Sequence, residues 1–214
     1  MVRAVSISNI LKMKHSSFQF EAPWSEAFSS EPSDCGFWLI WGKEKNGKTW
    51  FALLLAKYLA TLRKVLYVSA EEGLGKEFCE SIKRAGISTS DKNLSFLEYT
   101  DLQSIRTALS KRNAYNIVFL DNITVYNSEL KAGELQRLKD DFPKVLFVFL
   151  AHEERGEPYT AAAKLCKKLA KIIVHVAGLR ASVSGRTKGG EYLIDEEKAT
   201  LYWGVPELQE HEQD

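Results

Sequence analysis

Short apolar runs alternate along the chain with stretches whose apolar residues recur at helical spacing. Each run has the length of a β-strand, whereas the stretch that ends at Leu62 carries apolar side chains three or four positions apart. The runs are almost continuously apolar, which is typical of parallel strands covered on both faces. The predicted strands cover about 37–41, 65–68, 93–99, 117–120, 145–150 and 172–176, with helices predicted at about 50–62, 78–84, 102–110, 130–138 and 161–170.

The pattern changes in the last third of the chain. Residues 191–194 and 200–203 have the composition of two short strands, and the polar sequence between them, 195–198, predicts the turn of a hairpin. A Gly-rich basic loop, residues 185–190, precedes that hairpin. We therefore expect an α/β fold with a mostly parallel sheet and an antiparallel C-terminal extension.

An aromatic lead-in segment, residues 1–36, precedes the first predicted strand. Its aromatic residues suit two interpretations, a cover packed on the main sheet or an arm that docks on a neighbouring subunit. Packing on the sheet is the commoner use of aromatic side chains. The residues concerned are Phe18, Phe20, Trp24 and Phe28.

Composition bounds the class of protein. A chain of 214 residues with 45% hydrophobic content suits one domain, and a net charge of +1 gives no electrostatic case for a dedicated nucleic-acid or membrane binder. The longest apolar run, 145–151, is far shorter than the roughly 20 residues that span a bilayer. Three widely separated cysteines predict neither a disulfide framework nor a structural zinc site. We expect one cytoplasmic domain over 1–214, comprising the lead-in segment, a nucleotide-binding core (37–178) and a C-terminal hairpin and tail (179–214).

A phosphate-binding loop connects the first predicted strand to the helix after it. The sequence matches G-x-x-x-x-G-K-[ST], in which backbone amides of the loop and the helix N-terminus surround a phosphate group. Lys48 would reach the terminal phosphates of ATP, and the Thr49 hydroxyl would bind Mg²⁺. A coincidental Gly/Lys loop is the alternative, but the flanking strand and helix disfavour it. The predicted nucleotide-binding residues are Gly42, Lys43, Glu44, Lys45, Asn46, Gly47, Lys48, Thr49 and Trp50.

Ionisable residues follow three other predicted strands. Asp121 has the position of a second Mg²⁺ ligand, although an Asp after a strand is often a turn or N-cap residue. Glu71 or Glu72 could orient and deprotonate a water molecule, or simply form a solvated helix start. His152 could contact the γ-phosphate, or serve as a structural hydrogen-bonding residue. The carboxyl ends of parallel strands meet at one edge, so we expect these groups to converge.

The chain resembles the RecA superfamily, and most closely the ATPase core of RadA-like proteins. The resemblance rests on residues 38–73, which contain the phosphate loop and a strand ending in V-S-x-E, and on segments 93–102, 116–122 and 146–153. It implies a three-layer RecA-like fold in which the strand ending at His152 lies between the phosphate-loop strand and the Asp121 strand. It further implies that Glu71, rather than Glu72, is the catalytic glutamate. The zinc finger, the protease-like domain and the polymerisation motif of relatives have no counterpart here.

The same resemblance suggests two sets of binding residues. Arg186 and Lys188 fall where RecA-like ATPases carry basic residues that reach a neighbour's nucleotide site, although such a loop is also ordinary solvent-facing surface. Single-stranded DNA would lie on the loops after Asp121 and after His152, where each loop offers basic and aromatic side chains. Acidic neighbours argue against strong phosphate contact there. The loop residues concerned are Tyr126, Lys131, Arg155 and Tyr159, and the acidic ones are Glu153, Glu154 and Glu157.

Together these observations predict a Mg-ATP-dependent ATPase in which Lys48, Glu71 and His152 are catalytic and Thr49 and Asp121 bind the metal. The resemblance implies a role in DNA recombination, repair or replication, with single-stranded DNA and further copies of the chain as candidate partners. The alternative is a nucleotide-switched regulatory or assembly module, KaiC-like in principle, with little hydrolysis and no DNA binding.

Overall fold

The computed structural model describes residues 4–131 and 133–204. The strands within them are β1 (Gly36–Gly42), β2 (Val65–Ser69), β3 (Leu94–Glu98), β4 (Ile117–Asp121), β5 (Leu146–Glu154), β6 (Glu157–Pro158), β7 (Ile172–Ala177), β8 (Arg180–Gly185) and β9 (Gly190–Leu193). The helices are α1 (Ile7–Leu11), α2 (Trp24–Phe28), α3 (Lys48–Leu62), α4 (Lys76–Arg84), α5 (Leu102–Leu109), α6 (Glu134–Asp141), α7 (Ala161–Leu169) and α8 (Glu196–Trp203).

The strands form one sheet in the order β3-β2-β4-β5-β1-β7-β8-β9, with β6 paired to β5 outside this path. The six strands from β3 to β7 in this order are parallel to their neighbours, whereas β8 and β9 are antiparallel. The mostly parallel sheet with an antiparallel C-terminal extension is therefore confirmed. The strand β5 lies between β1 and β4, as the resemblance implied.

Helices cover both faces of the sheet and give three layers. All seven residues of β1 are buried, and they alternate between two hydrophobic clusters. One cluster contains Trp38 and Ile40 together with α2, α3 and Phe78 of α4. The other contains Phe37 and Leu39 together with residues of α5, α6 and α7. Burial on both sides explains why the parallel strands are almost continuously apolar in sequence.

The aromatic residues of the lead-in segment belong to the first cluster. Phe28 stacks on Trp38 with ring centroids 5.3 Å apart, and Trp24 stacks on Tyr58 of α3 at 5.3 Å. Phe20 meets Tyr58 edge to face at 5.0 Å. The segment thus packs on the main sheet, which confirms the first of the two interpretations for its aromatic residues.

The predicted C-terminal hairpin is wrong in one strand. Residues 200–203 belong to the helix α8, and β9 pairs instead with β8, a strand that was not predicted. Asp195 caps α8 by accepting a hydrogen bond from the Lys198 amide at 3.1 Å, and two glutamates occupy the first turn. These are signals of a helix start. The β8 strand escaped prediction because only Ala181 and Val183 point into the core.

Two other boundaries differ from the prediction. The helix expected at 130–138 begins only at Glu134, after Gly133, whose φ of 86° lies in the left-handed region. The polar sequence expected as a loop at 153–159 instead continues β5 to Glu154 and includes the short strand β6. Within the described residues, no helix combines the length and hydrophobicity that a membrane span requires.

Candidate nucleotide-binding site

The phosphate loop joins β1 to α3 at the carboxyl edge of the sheet. Gly47 has φ of 97°, and a Cβ placed on it would lie 2.7 Å from Leu179 Cδ2. A Cβ on Gly42 would lie 2.1 Å from the carbonyl oxygen of Val176. Both glycines are therefore required by their surroundings as well as by the backbone of the loop.

Asn46 fastens the phosphate loop to the turn between β7 and β8. Its side-chain oxygen accepts a hydrogen bond from the Gly178 amide at 2.8 Å, and its side-chain nitrogen donates to the Glu44 carbonyl at 2.9 Å. The left-handed residue of the loop is Lys45, with φ of 60°, rather than Asn46. Asn46 thus acts through its side chain, and not through the backbone freedom that its residue type suggested.

Lys48 lies at the start of α3 with its ammonium group folded over the loop. The Nζ donates a hydrogen bond to the Lys43 carbonyl at 2.8 Å, and the residue is buried. Burial lowers the pKa of Lys48, and the negative charges of Asp121 and Glu71 partly offset that effect. The chain thus holds a partly dehydrated cation where the phosphates of a nucleotide are expected.

Asp121 is the last residue of β4 and is almost fully buried. Its Oδ2 accepts hydrogen bonds from the Thr49 hydroxyl at 3.1 Å and the Tyr67 hydroxyl at 2.6 Å. Burial raises the pKa of Asp121 to about 6, against the lowering effect of the Tyr67 hydrogen bond. The Thr49 and Asp121 oxygens are hard donors of the kind that Mg²⁺ prefers, so this pair fits a magnesium ion.

Glu71 lies at the centre of a small polar network. Its carboxylate accepts a hydrogen bond from Asn122 Nδ2 at 2.9 Å, and both of its oxygens lie 3.0 Å from His152 Nε2. Glu72 borders the same cavity without a hydrogen bond to either residue among the described contacts. Burial, with the charge of Glu71 second, raises the pKa of Glu72. The two glutamates thus differ in their surroundings although they are adjacent in sequence.

His152 lies beside the phosphate loop because of strand register. It pairs with Gly42, the first residue of the motif, across the parallel strands β5 and β1. Its Nδ1 is buried and finds no hydrogen-bond partner among the described residues. The structure therefore brings together His152, Glu71, Lys48, Thr49 and Asp121, which the sequence predicted as one site.

A cavity of about 670 Å³ connects these groups to residues that the sequence did not indicate. Trp50 forms part of its wall, with the Arg84 guanidinium carbon 5.3 Å and Lys198 Nζ 5.7 Å from the indole ring. Arg84 and Lys198 come from distant helices, so only tertiary structure brings them here. The lining comprises Glu44, Lys45, Gly47, Lys48, Thr49, Trp50, Glu71, Glu72, Ser81, Arg84, Asp121, His152, Leu179 and Lys198.

Two further residues beside the site, Tyr67 and Asn122, were also not selected from the sequence. Tyr67 is a buried residue of β2 that bonds Asp121, and Asn122 follows Asp121 and bonds Glu71. A tyrosine in an otherwise aliphatic strand and an amide after the strand-terminal aspartate were the available signals. Neither has meaning until the partner strand is known.

Arg186 and Lys188 lie away from this cavity. They occupy the turn between β8 and β9, where the Arg186 amide donates to the Lys171 carbonyl at 2.6 Å. Lys171 precedes β7, so this turn lies at the amino end of the parallel strands, opposite the phosphate loop. Both side chains are exposed. Within one chain they do not join the site, and their action on a neighbouring chain stays a prediction.

The loops expected to hold single-stranded DNA differ from that expectation in one residue. Tyr126 is fully buried and donates a hydrogen bond from its hydroxyl to the Thr100 carbonyl at 2.9 Å, so the prediction that it stacks on a base is wrong. Tyr159 is 54% exposed, and Lys131 and Arg155 are also exposed. Glu153 is engaged by His175 at 2.8 Å.

Comparison with solved structures identifies the fold. The ATPase domain of a helicase superposes with a TM-score of 0.57 at 16% identity, over 78% of this chain and 83% of that one. The flagellar accessory protein FlaH from Methanocaldococcus jannaschii gives 0.58 at 14% identity, over 80% of this chain and 87% of that one. Neither the protein-family models nor the curated proteins gave a match. The fold is that of RecA-like ATPase domains, whereas the closer likeness to RadA stays a prediction.

Proposed function

We propose that the chain binds Mg-ATP and hydrolyses its terminal phosphoric anhydride bond. The observation that carries this proposal is the convergence of a phosphate loop, a buried lysine, a hydroxyl–carboxylate pair and a glutamate–histidine pair on one cavity. A cavity of this size accommodates a nucleotide. The RecA-like fold supports the same conclusion at the level of the superfamily.

The phosphate groups would lie against the loop from Gly42 to Thr49. Amides of the loop and of the first turn of α3 would donate hydrogen bonds to the phosphate oxygens, and Lys48 would exchange its bond to the Lys43 carbonyl for one to the β- and γ-phosphates. Thr49 and Asp121 would hold Mg²⁺, which when bound supplies positive charge to the phosphate oxygens. Trp50 would bound the nucleotide on the side of Arg84 and Lys198.

Glu71 is the proposed base that orients the attacking water and accepts its proton. Asn122 and His152 hold its carboxylate from two sides, which fixes the direction of the oxygens. A γ-phosphate bound beside Gly42 would also lie close to His152, because Gly42 and His152 are paired in register. His152 would thereby connect the γ-phosphate to the base.

The test of nucleotide binding uses Lys48→Ala, with Lys43→Ala as the matched control. Lys43 belongs to the same loop, but its side chain is exposed and only its carbonyl meets Lys48. We expect Lys48→Ala to lose ATP binding in calorimetric titration, and Lys43→Ala to bind ATP about as well as the natural chain. Retained binding in Lys48→Ala would contradict the assignment of the site.

We further propose that the ATPase acts in DNA recombination, repair or replication, with single-stranded DNA as a partner. The resemblance to RadA-like proteins and the exposed Lys131, Arg155 and Tyr159 support this proposal. ATP turnover measured with and without a short single-stranded oligonucleotide at low salt tests it, since phosphate contacts are strongest there. Stimulation below about twofold would argue against this role.

A nucleotide-switched regulatory or assembly module is the second candidate. The observations that favour it are the buried Tyr126 and the acidic side chains in the β5–β6 hairpin, which leave few groups for a DNA strand. ATP binding with negligible turnover, unchanged by DNA, would support this function over the first.

Assembly with further copies of the chain is proposed from the exposed turn that carries Arg186 and Lys188. Its distance from the cavity of its own chain means that these cations could only serve a neighbour's nucleotide. Mixing Arg186→Ala chains with Lys48→Ala chains tests this, because one intact interface per pair should restore some turnover. Solution mass with ATP present gives the oligomeric state directly. A cytoplasmic location is proposed from the three free cysteines.

A further inference from the structure

A second cavity lies at the opposite end of the parallel strands from the phosphate loop. Its volume is about 420 Å³, and it lies where β2, β3 and β4 begin. Strand register places it there, since Val65 pairs with both Leu94 and Ile117 in the parallel sheet. The residues just before these strands thus share one edge, which the turn after α5 closes from the side.

The rim of this cavity is strongly cationic. Four basic side chains line it, and no carboxylate of the described chain does. Nor does any of the four form an ion pair with a described carboxylate. Asp91, the acid next in sequence, is turned away to accept a hydrogen bond from the Ser88 amide at 2.8 Å. The four cations are Lys64, Lys92, Lys111 and Arg112.

The wall of the cavity combines apolar surface with neutral hydrogen-bonding groups. Leu66, Leu97 and Ala108 provide the apolar part, and Tyr115 is a half-buried aromatic residue beside them. Ser95 and Asn113 supply polar side chains, as does Asn93. Such a wall suits a flat ring, whereas the rim suits phosphate groups.

The uncompensated positive charge is confined to this cavity. Of the nearby arginines, Arg106 is paired with Glu134 at 3.3 Å and with Asp141, and Arg63 is paired with Asp34 at 2.8 Å. A nucleic-acid strand that crosses a surface needs a basic track longer than one cavity. A compact polyanion needs only the cavity itself.

We propose that this basic cavity binds a multiply phosphorylated small molecule of nucleotide size, as a second ligand site distinct from the phosphate loop. Lys64, Lys92, Lys111 and Arg112 would neutralise the phosphates, and Tyr115 with the leucines would contact the ring. This site does not depend on the ATPase proposal, because none of its residues lines the first cavity.

The test is a calorimetric titration of the full chain with ADP and, separately, with inorganic tripolyphosphate. The buffer contains EDTA and about 0.15 M salt, so that weak surface attraction is screened. We expect two ADP sites per chain, of which Lys48→Ala removes one. The charge reversal Lys111→Glu/Arg112→Glu should weaken the other by about tenfold or more.

The matched control is Lys12→Glu/Lys14→Glu, which changes the net charge equally but lies in the exposed lead-in segment. It should keep both sites. If the charge reversal fails to fold, as judged by thermal melting, Lys92→Gln/Lys111→Gln replaces it with the same expectation of weaker binding.

Three results would overturn the proposal. The first is a single ADP site that Lys48→Ala abolishes. The second is equal loss of binding in the lead-in control, which would indicate non-specific attraction. The third is a decathymidine strand that binds at this cavity, with loss in the charge reversal, while ADP and tripolyphosphate do not bind there. That last result would make the cavity a nucleic-acid contact instead.

Discussion

Asp121 shows how one residue of the site is held at a cost to the fold. Its carboxylate is buried at the end of β4, where ionisation is opposed by the loss of water and by nearby glutamates, and favoured by the Tyr67 and Thr49 hydroxyls. Positive charge from a bound metal ion would relieve that cost. Without metal, the ionised form is a source of instability.

Replacement of Asp121 by Asn is therefore expected to stabilise the metal-free chain above pH 6. The folded-state pKa of about 6 exceeds the unfolded value of about 3.9, so ionisation costs the folded state free energy as pH rises from 4 to 6. Urea unfolding in EDTA at pH 8 should show a gain on the order of 1–3 kcal/mol, which vanishes near pH 4.

Asp140→Asn, on the exposed surface of α6, is the control and should show no such pH dependence. If Asp121→Asn is instead less stable than the natural chain at pH 8, the hydrogen bonds from Tyr67 and Thr49 outweigh the cost of burial.

Glu71→Gln is expected to keep ATP affinity and to lower kcat by about 10²- to 10⁴-fold, because an amide cannot accept the proton from water. Glu72→Gln is the matched control, since it borders the same cavity without the bonds to Asn122 and His152. Steady-state turnover and nucleotide titration measure both quantities. The reverse pattern between the two variants would assign the base to Glu72.

At the scale of elements, the phosphate loop depends on the turn between β7 and β8. Asn46 bonds the Gly178 amide, and Leu179 occupies the space beside Gly47. The loop conformation is thus set partly by a segment more than 130 residues away in sequence.

Gly47→Ala should weaken ATP binding by at least about tenfold, because the new methyl group meets Leu179 at 2.7 Å and the backbone angle disfavours alanine. Gly156→Ala is the control for backbone strain alone, since its φ is 79° but no atom lies within 4 Å of the added methyl. Nucleotide titration at one temperature compares them. Equal binding by the two variants would show that contact with Leu179 is unimportant.

The elements that the sequence predicted are those whose signal is local. The parallel strands are buried on both faces, so their apolar runs are visible without any partner, and the phosphate loop is a contiguous motif. The β8 strand has only two inward residues, and α8 is identified by its cap and acidic first turn more than by its apolar residues. The contributions of Tyr67, Leu179 and Lys198 to the site depend on contacts between distant segments, which no local pattern reveals.

At the scale of the whole molecule, the lead-in segment is part of the hydrophobic core. Phe28 is fully buried between Trp38 and Phe51, whereas Ile7 of α1 is 77% exposed. The fold of the nucleotide-binding core therefore includes residues that precede its first strand.

Phe28→Ala should lower the free energy of unfolding by about 3–5 kcal/mol, since it leaves a cavity against the sheet. Ile7→Ala should change it by less than about 0.5 kcal/mol. Urea denaturation of both variants measures the difference. A small effect for Phe28→Ala would mean that the core closes without the lead-in segment.

The length of β2 has a consequence for how the two cavities coexist. Lys64 at its start borders the basic cavity, and Glu71 just beyond its end borders the nucleotide cavity. Five residues of strand span about 17 Å, roughly twice the screening length of about 8 Å at physiological salt. Anions in the two cavities would therefore repel each other only weakly through solvent, so simultaneous occupancy carries little electrostatic penalty.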